Sequence, residues 1–132
     1  MSMSANNSNR PLSPHLQIYR FAMTMAMSIV HRITGVGLYL GTALLAWWLM
    51  AAASGPAYFD FVNAIFGSWI GRLVLFLFSW SLIHHMLGGF RHFIWDTGRG
   101  LEAPTRDLFA RATLIGAILI TVLVWIVGYW VR

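Results

Sequence analysis

The chain has 132 residues, 58% of them hydrophobic and only 10% charged, with seven tryptophans and no cysteine. That balance is far too apolar for a water-soluble domain of this length and defines an integral membrane protein, while the lack of cysteine excludes disulfides and iron–sulfur ligation within the chain. The net charge is +5, carried by nine arginines, and no basic cluster interleaved with aromatics offers nucleic acid a surface.

Residues 1–9 are Ser, Asn, Met and Ala without periodicity and read as a tail. They have neither the Arg-rich amphipathic pattern of an organelle transit peptide nor the apolar core of a signal peptide, which points to direct insertion into a bacterial inner membrane. Arg10-Pro11-Leu12-Ser13-Pro14-His15 is stiffened by proline and cannot be helical through Pro14. Residues 1–27 are therefore assigned to a cytoplasmic tail and an interfacial segment, and 28–131 to a membrane anchor. A first span is expected over about 28–52, broken by Ser54-Gly55-Pro56, and Tyr58 to Gly67 reads as a short, partly apolar surface loop. A second span covers about 68–95 and closes in the turn Asp96-Thr97-Gly98-Arg99-Gly100; a third covers about 107–131. Each exceeds the ~20 residues needed to cross a hydrocarbon core of ~30 Å. The fold class is an all-α membrane protein with three transmembrane helices.

Charge gives the orientation. Arg10, Arg20, Arg32, Arg91, Arg99, Arg106 and Arg111 fall on one side of such a three-span chain, and Arg72 and Arg132 on the other. The positive-inside rule puts the first group in the cytoplasm, so the N-terminus is cytoplasmic and the C-terminus periplasmic. The start of the first span and the end of the second then meet the same membrane face.

Both of those ends are polar. His84, His85, Arg91 and His92 close the second span, and Ser28, His31 and Arg32 open the first. Ionisable groups are expensive at membrane depth, so these are functional candidates. His85 and His92 are seven residues apart, nearly two helical turns, with Gly88 and Gly89 between them on one stripe. Glycines there leave a trough for a flat macrocycle, and a neutral imidazole above it can ligate iron. His84 is turned from His85 by ~100° and cannot share that face. Its expected role is structural, lipid-shielded or turned to a partner and bonded to a nearby carbonyl. Ser28 and Arg32, four apart, share one face of the helix, where a hydroxyl and a guanidinium stand together. Gly35, Gly37 and Gly41 read as helix-packing positions.

Three segments together carry a resemblance: Arg10-Pro11-Leu12-Ser13-Pro14-His15-Leu16 with Tyr19, Ser28-Ile29-Val30-His31-Arg32-Ile33-Thr34-Gly35, and His85-Met86-Leu87-Gly88-Gly89-Phe90-Arg91-His92 with Trp95-Asp96. Over nearly its whole length the chain resembles the cytochrome b subunit of succinate dehydrogenase. The resemblance implies one haem b, shared with a second small membrane-anchor subunit, with His85 as the axial ligand to its iron. It places His31, Arg32, Arg91 and His92 on the haem propionate side, and Ser28 and Arg32 in a ubiquinone site. It implies an iron–sulfur subunit and a flavoprotein subunit as further partners, with succinate oxidised there and electrons passed to quinone. It also gives Asp96 a role at the docking surface, against a simpler pairing with Arg99.

Two other readings follow from the same residues. One is a haem-free structural anchor, or the anchor of a fumarate reductase. The other is a self-contained two-haem carrier, which needs four histidines at opposing depths; His31, His84, His85 and His92 all lie toward one side.

Overall fold

The computed structural model describes residues 21–131, and within them the chain is entirely helical: α1 (Met23–Ser54), α2 (Pro56–Gly67), α3 (Trp69–Asp96) and α4 (Ala103–Val131). The tail and the Pro-rich segment before Phe21 lie outside the described residues. At a rise of 1.5 Å per residue the 28 residues of α3 extend about 42 Å. α1, α3 and α4 are each long and apolar enough to cross a membrane.

The bundle is apolar outside and small or polar inside. Trp130 is 89% exposed and Tyr39 80%, and Leu, Ile and Val line the outer faces, whereas α4 turns Ala110, Thr113, Ala117 and Thr121 inward. That spacing follows one helical face. The buried threonines satisfy themselves: Thr113 donates to the Phe109 carbonyl at 2.8 Å and Thr121 to that of Ala117 at 2.6 Å. In lipid, apolar area cannot drive helices together, and small residues that allow close approach take that role. α3 is the central helix and packs against all three others.

The segment expected to be a surface loop is instead the 12-residue helix α2. Gly55, at φ 116°, ends α1 in a backbone conformation that favours glycine, and Pro56 sits at the helix start, where its missing N–H costs nothing. Asp60 and Asn63 weakened the apolar pattern, yet Asn63 has a use. Its side-chain oxygen accepts from Trp48 Nε1 at 2.9 Å, and the Tyr58 hydroxyl accepts from Trp47 Nε1 at 2.8 Å, so two tryptophans of α1 hold α2. Val62 is the residue of α2 that is fully buried.

Ser68 then caps α3, its hydroxyl accepting from the Gly71 amide at 3.1 Å. Gly71 packs directly against the end of α2. A Cβ there would stand 2.2 Å from the Ile65 carbonyl oxygen and 2.7 Å from Phe66 Cα, both backbone atoms that cannot rotate aside. Gly71→Ala is expected to destabilise the fold by about 1–3 kcal/mol, the usual cost of overpacking. Gly67→Ala, with nothing within 4 Å, should not. Thermal unfolding of the detergent-solubilised protein checks both.

At the other end α3 stops at Thr97, and Gly98 and Gly100, at φ 75° and 71°, turn the chain into α4. Trp95 Nε1 donates to the Gly100 carbonyl at 3.1 Å and closes the turn.

Candidate functional site

α1 and α3 bring the polar residues of both spans to one end of the bundle. The His31 ring lies against His85, with centroids 3.9 Å apart and planes 17° from parallel, and stands edge-on to His92 at 5.6 Å. Gly88 makes room for it: a Cβ at position 88 would stand 2.5 Å from His31 Cδ2. The face of Gly88 is thus filled by an imidazole of α1, while Gly89 has nothing within 4 Å of its own Cβ position. Of the expected trough, Gly89 is the open part.

His85 is held from the α1 side. Its Nδ1 lies 3.3 Å from the His31 carbonyl oxygen and 3.5 Å from Thr34 Oγ1, and the Thr34 hydroxyl donates to that same carbonyl at 2.9 Å. Gly35 admits the ring, since a Cβ there would be 3.3 Å from His85 Cε1. His85 Nε2 makes no hydrogen bond among the described residues and is not one of the buried unpartnered atoms, so it opens to the outside of this chain. His31 Nε2, by contrast, is buried without a partner among the described residues.

His84 departs from its expected setting. It is completely buried within its own bundle, shielded from lipid and not turned outward to a partner, with its ring 5.3 Å from that of Trp80. Neither ring nitrogen has a hydrogen-bond partner among the described residues, so the expected bond to a carbonyl is absent. The physical reason is register. Ser81, His84, Gly88 and Arg91 form the interior stripe of α3, and the step of ~100° that separates His84 from His85 sends one inward and the other toward α1.

Arg91 sits on the same interior stripe. It is 5% exposed, its guanidinium carbon is 5.0 Å from the Trp95 ring centroid, and its Nε and Nη1 have no partner among the described residues. The cation–π contact supplies part of what it lacks. The neighbouring His92 is exposed and edge-on to Trp95 at 5.3 Å, so the two residues of the Arg-His pair point to different surroundings.

Ser28 and Arg32 are both exposed and have no hydrogen bond or ion pair among the described residues. They present a hydroxyl and a guanidinium outward on one face of α1. Asp96 forms no ion pair with Arg99. A cavity of ≈ 710 Å³ lies at the opposite end of the bundle, lined in part by Gly41, Trp48, Asn63, Arg72, Phe78 and Tyr129. It contains none of the histidines. The residue that sequence reasoning passed over is Thr34, whose signal was its place three residues after His31.

Three helices able to cross a membrane, with histidine, arginine and serine gathered at one end, define a multi-pass membrane subunit with a polar face. The profile of the succinate dehydrogenase/fumarate reductase transmembrane subunit family matches residues 6–127, and the chain belongs to that family. It is 41% identical over 124 residues to a succinate dehydrogenase cytochrome b556 subunit of Paracoccus denitrificans, covering 94% of this chain and 95% of the relative. A b556 subunit of Rickettsia felis is 34% identical, covering 89% and 91%. The mitochondrial cytochrome b560 subunit of Mus musculus is 36% identical, covering 86% of this chain and 68% of its own.

Proposed function

We propose that this chain anchors a succinate dehydrogenase in a bacterial inner membrane, N-terminus cytoplasmic and C-terminus periplasmic. In this reading it holds one b-type haem jointly with a second small membrane subunit and supplies part of the ubiquinone-reduction site. The observation that carries the reading is the posture of His85: Nδ1 is engaged with α1, while Nε2 is free and opens outward.

No three His, Cys, Asp or Glu among the described residues gather to hold a bare metal ion. A porphyrin-held iron would need only one imidazole from this chain, and His85 would be the residue to supply it. Gly89 leaves the surface beside it open, and the buried, unpartnered Nε2 of His31 and the exposed His92 and Arg32 give carboxylates a group of donors. Arg91, though 5% exposed, belongs to the same propionate side as His31, whose Nε2 is buried too. When bound, the haem supplies a one-electron store beside the quinone.

The iron–sulfur and flavoprotein partners take two electrons from succinate, since the chain has no cysteine for a cluster. Quinone accepts those two electrons and two protons. Arg32 and Ser28 are placed to donate hydrogen bonds to its oxygens as negative charge develops there. Both are exposed in the single chain, so the cleft is completed by neighbouring subunits. The same family name covers fumarate reductase, in which the electrons run the other way.

Purifying the complex through a tag on this chain tests the reading. The expected result is four subunits, a b-type absorption that sharpens on reduction, and succinate-to-quinone activity. A four-subunit complex without that absorption would make this a haem-free anchor.

Orientation has its own test. The chain has no native cysteine, so Leu101→Cys in the α3–α4 turn and Ser54→Cys at the end of α1 each report alone. Impermeant thiol reagents are expected to reach position 101 only from the cytoplasmic side and position 54 only from outside. Reversed labelling would overturn the positive-inside assignment.

A further inference from the structure

We propose that Thr34 is a positioning residue that fixes the tautomer and orientation of His85, and through it the reduction potential of the iron. The inference rests on His85 being the axial ligand. Its physical content is carried by one carbonyl.

The His31 carbonyl can only accept hydrogen bonds. Two groups approach it: the Thr34 hydroxyl at 2.9 Å and His85 Nδ1 at 3.3 Å. Because the hydroxyl proton is committed to the carbonyl, the lone pairs of Thr34 Oγ1 face His85 Nδ1, 3.5 Å away. Both neighbours of Nδ1 are therefore acceptors. Nδ1 carries the ring proton and shares it between them, which leaves the lone pair on Nε2, the nitrogen that opens outward.

Thr34 differs here from three other helical threonines. Thr42, Thr113 and Thr121 donate to the carbonyl four residues back, the ordinary way a helix absorbs a hydroxyl. Thr34 donates to the carbonyl three residues back, and that is the carbonyl which receives His85. It is 1% exposed, so no water competes for the arrangement. Gly35 completes the seat by keeping space for the His85 ring edge.

An axial histidine whose other nitrogen donates a hydrogen bond is a more basic ligand, and it favours ferric over ferrous iron. Removing one of the two acceptors should weaken that effect. In the purified four-subunit complex, Thr34→Ala and Thr34→Val are expected to raise the haem midpoint potential, read by redox titration of the optical absorption. Thr34→Ser, which restores the hydroxyl, is expected to return it to the wild-type value. A Thr34→Ala complex with the wild-type potential would overturn the proposal, because filling space alone would then explain the residue. Should Thr34→Ala lose the haem while Thr34→Ser keeps it, the hydroxyl is needed to seat His85, as proposed; loss in both would overturn the hydroxyl's role. A His85→Ala complex measured alongside separates the two levels: retention of an unperturbed haem there would remove the ligand assignment itself.

Discussion

Replacing Arg32 with leucine is expected to slow succinate-to-quinone electron transfer by about tenfold to a thousandfold, while succinate oxidation by a soluble artificial acceptor continues at the wild-type rate. Ser28→Ala should act in the same direction. The expectation follows from where these groups lie. Both are on one face of α1, both are exposed in this chain, and neither is used by any other described residue. Neither substitution therefore opens a hole in the bundle or strands a buried partner, and assembly should survive. A guanidinium and a hydroxyl in a cleft closed by neighbouring subunits are worth most when charge appears on the quinone oxygens. An artificial acceptor takes its electrons before they reach that cleft. The split between the two activities is what carries the test. If both stay at the wild-type level, Arg32 only snorkels to phosphates at the membrane surface. If both fall because the soluble subunits detach, Arg32 and Ser28 are docking residues.

The sequence made the spans readable because membrane helices announce themselves by length and apolarity, and α1, α3 and α4 are such helices. α2 was hidden because Asp60 and Asn63 interrupt a run of only 12 residues, and its helicity depends on contacts from Trp47 and Trp48 that no local pattern encodes. At the site, the helical step predicted that His84 and His85 diverge, but not which way each would turn. His84 lies on the buried stripe of α3, and α4, which packs against that helix, has a buried stripe of its own in Ala110, Thr113, Ala117 and Thr121. Gly88 and Gly89 looked equivalent in sequence. They differ because His31 reaches across from another helix and fills the space at one of them. Arg91 and His92, adjacent in the chain, part for the same reason as the two histidines. Each of these gaps is a tertiary fact resting on the neighbouring helix.

His85→Ala is expected to remove the b-type absorption of the assembled complex or alter it grossly, and His84→Leu to leave it close to wild type. The contrast is sharp because the residues are adjacent and differ only in what they face. His85 offers a free, outward Nε2; His84 has both nitrogens enclosed in its own bundle, where no iron shared with another subunit can reach. Leucine is the better replacement at position 84. The buried ring has no hydrogen-bond partner to strand, so an apolar side chain of similar bulk avoids both a cavity and an unpaired group. Residual absorption in His85→Ala has a specific source to check, since the His31 ring stacks 3.9 Å away and its buried Nε2 stands to be uncovered when the His85 ring is removed. The His31→Ala/His85→Ala pair should then abolish it. The opposite pattern, with haem lost in His84→Leu and intact in His85→Ala, would move the ligand by one residue and require α3 to turn by ~100° on assembly. A rotation of that size would bring Arg91 out with His84, because the two share a stripe, so thiol labelling of Arg91→Cys in the assembled complex would detect it independently.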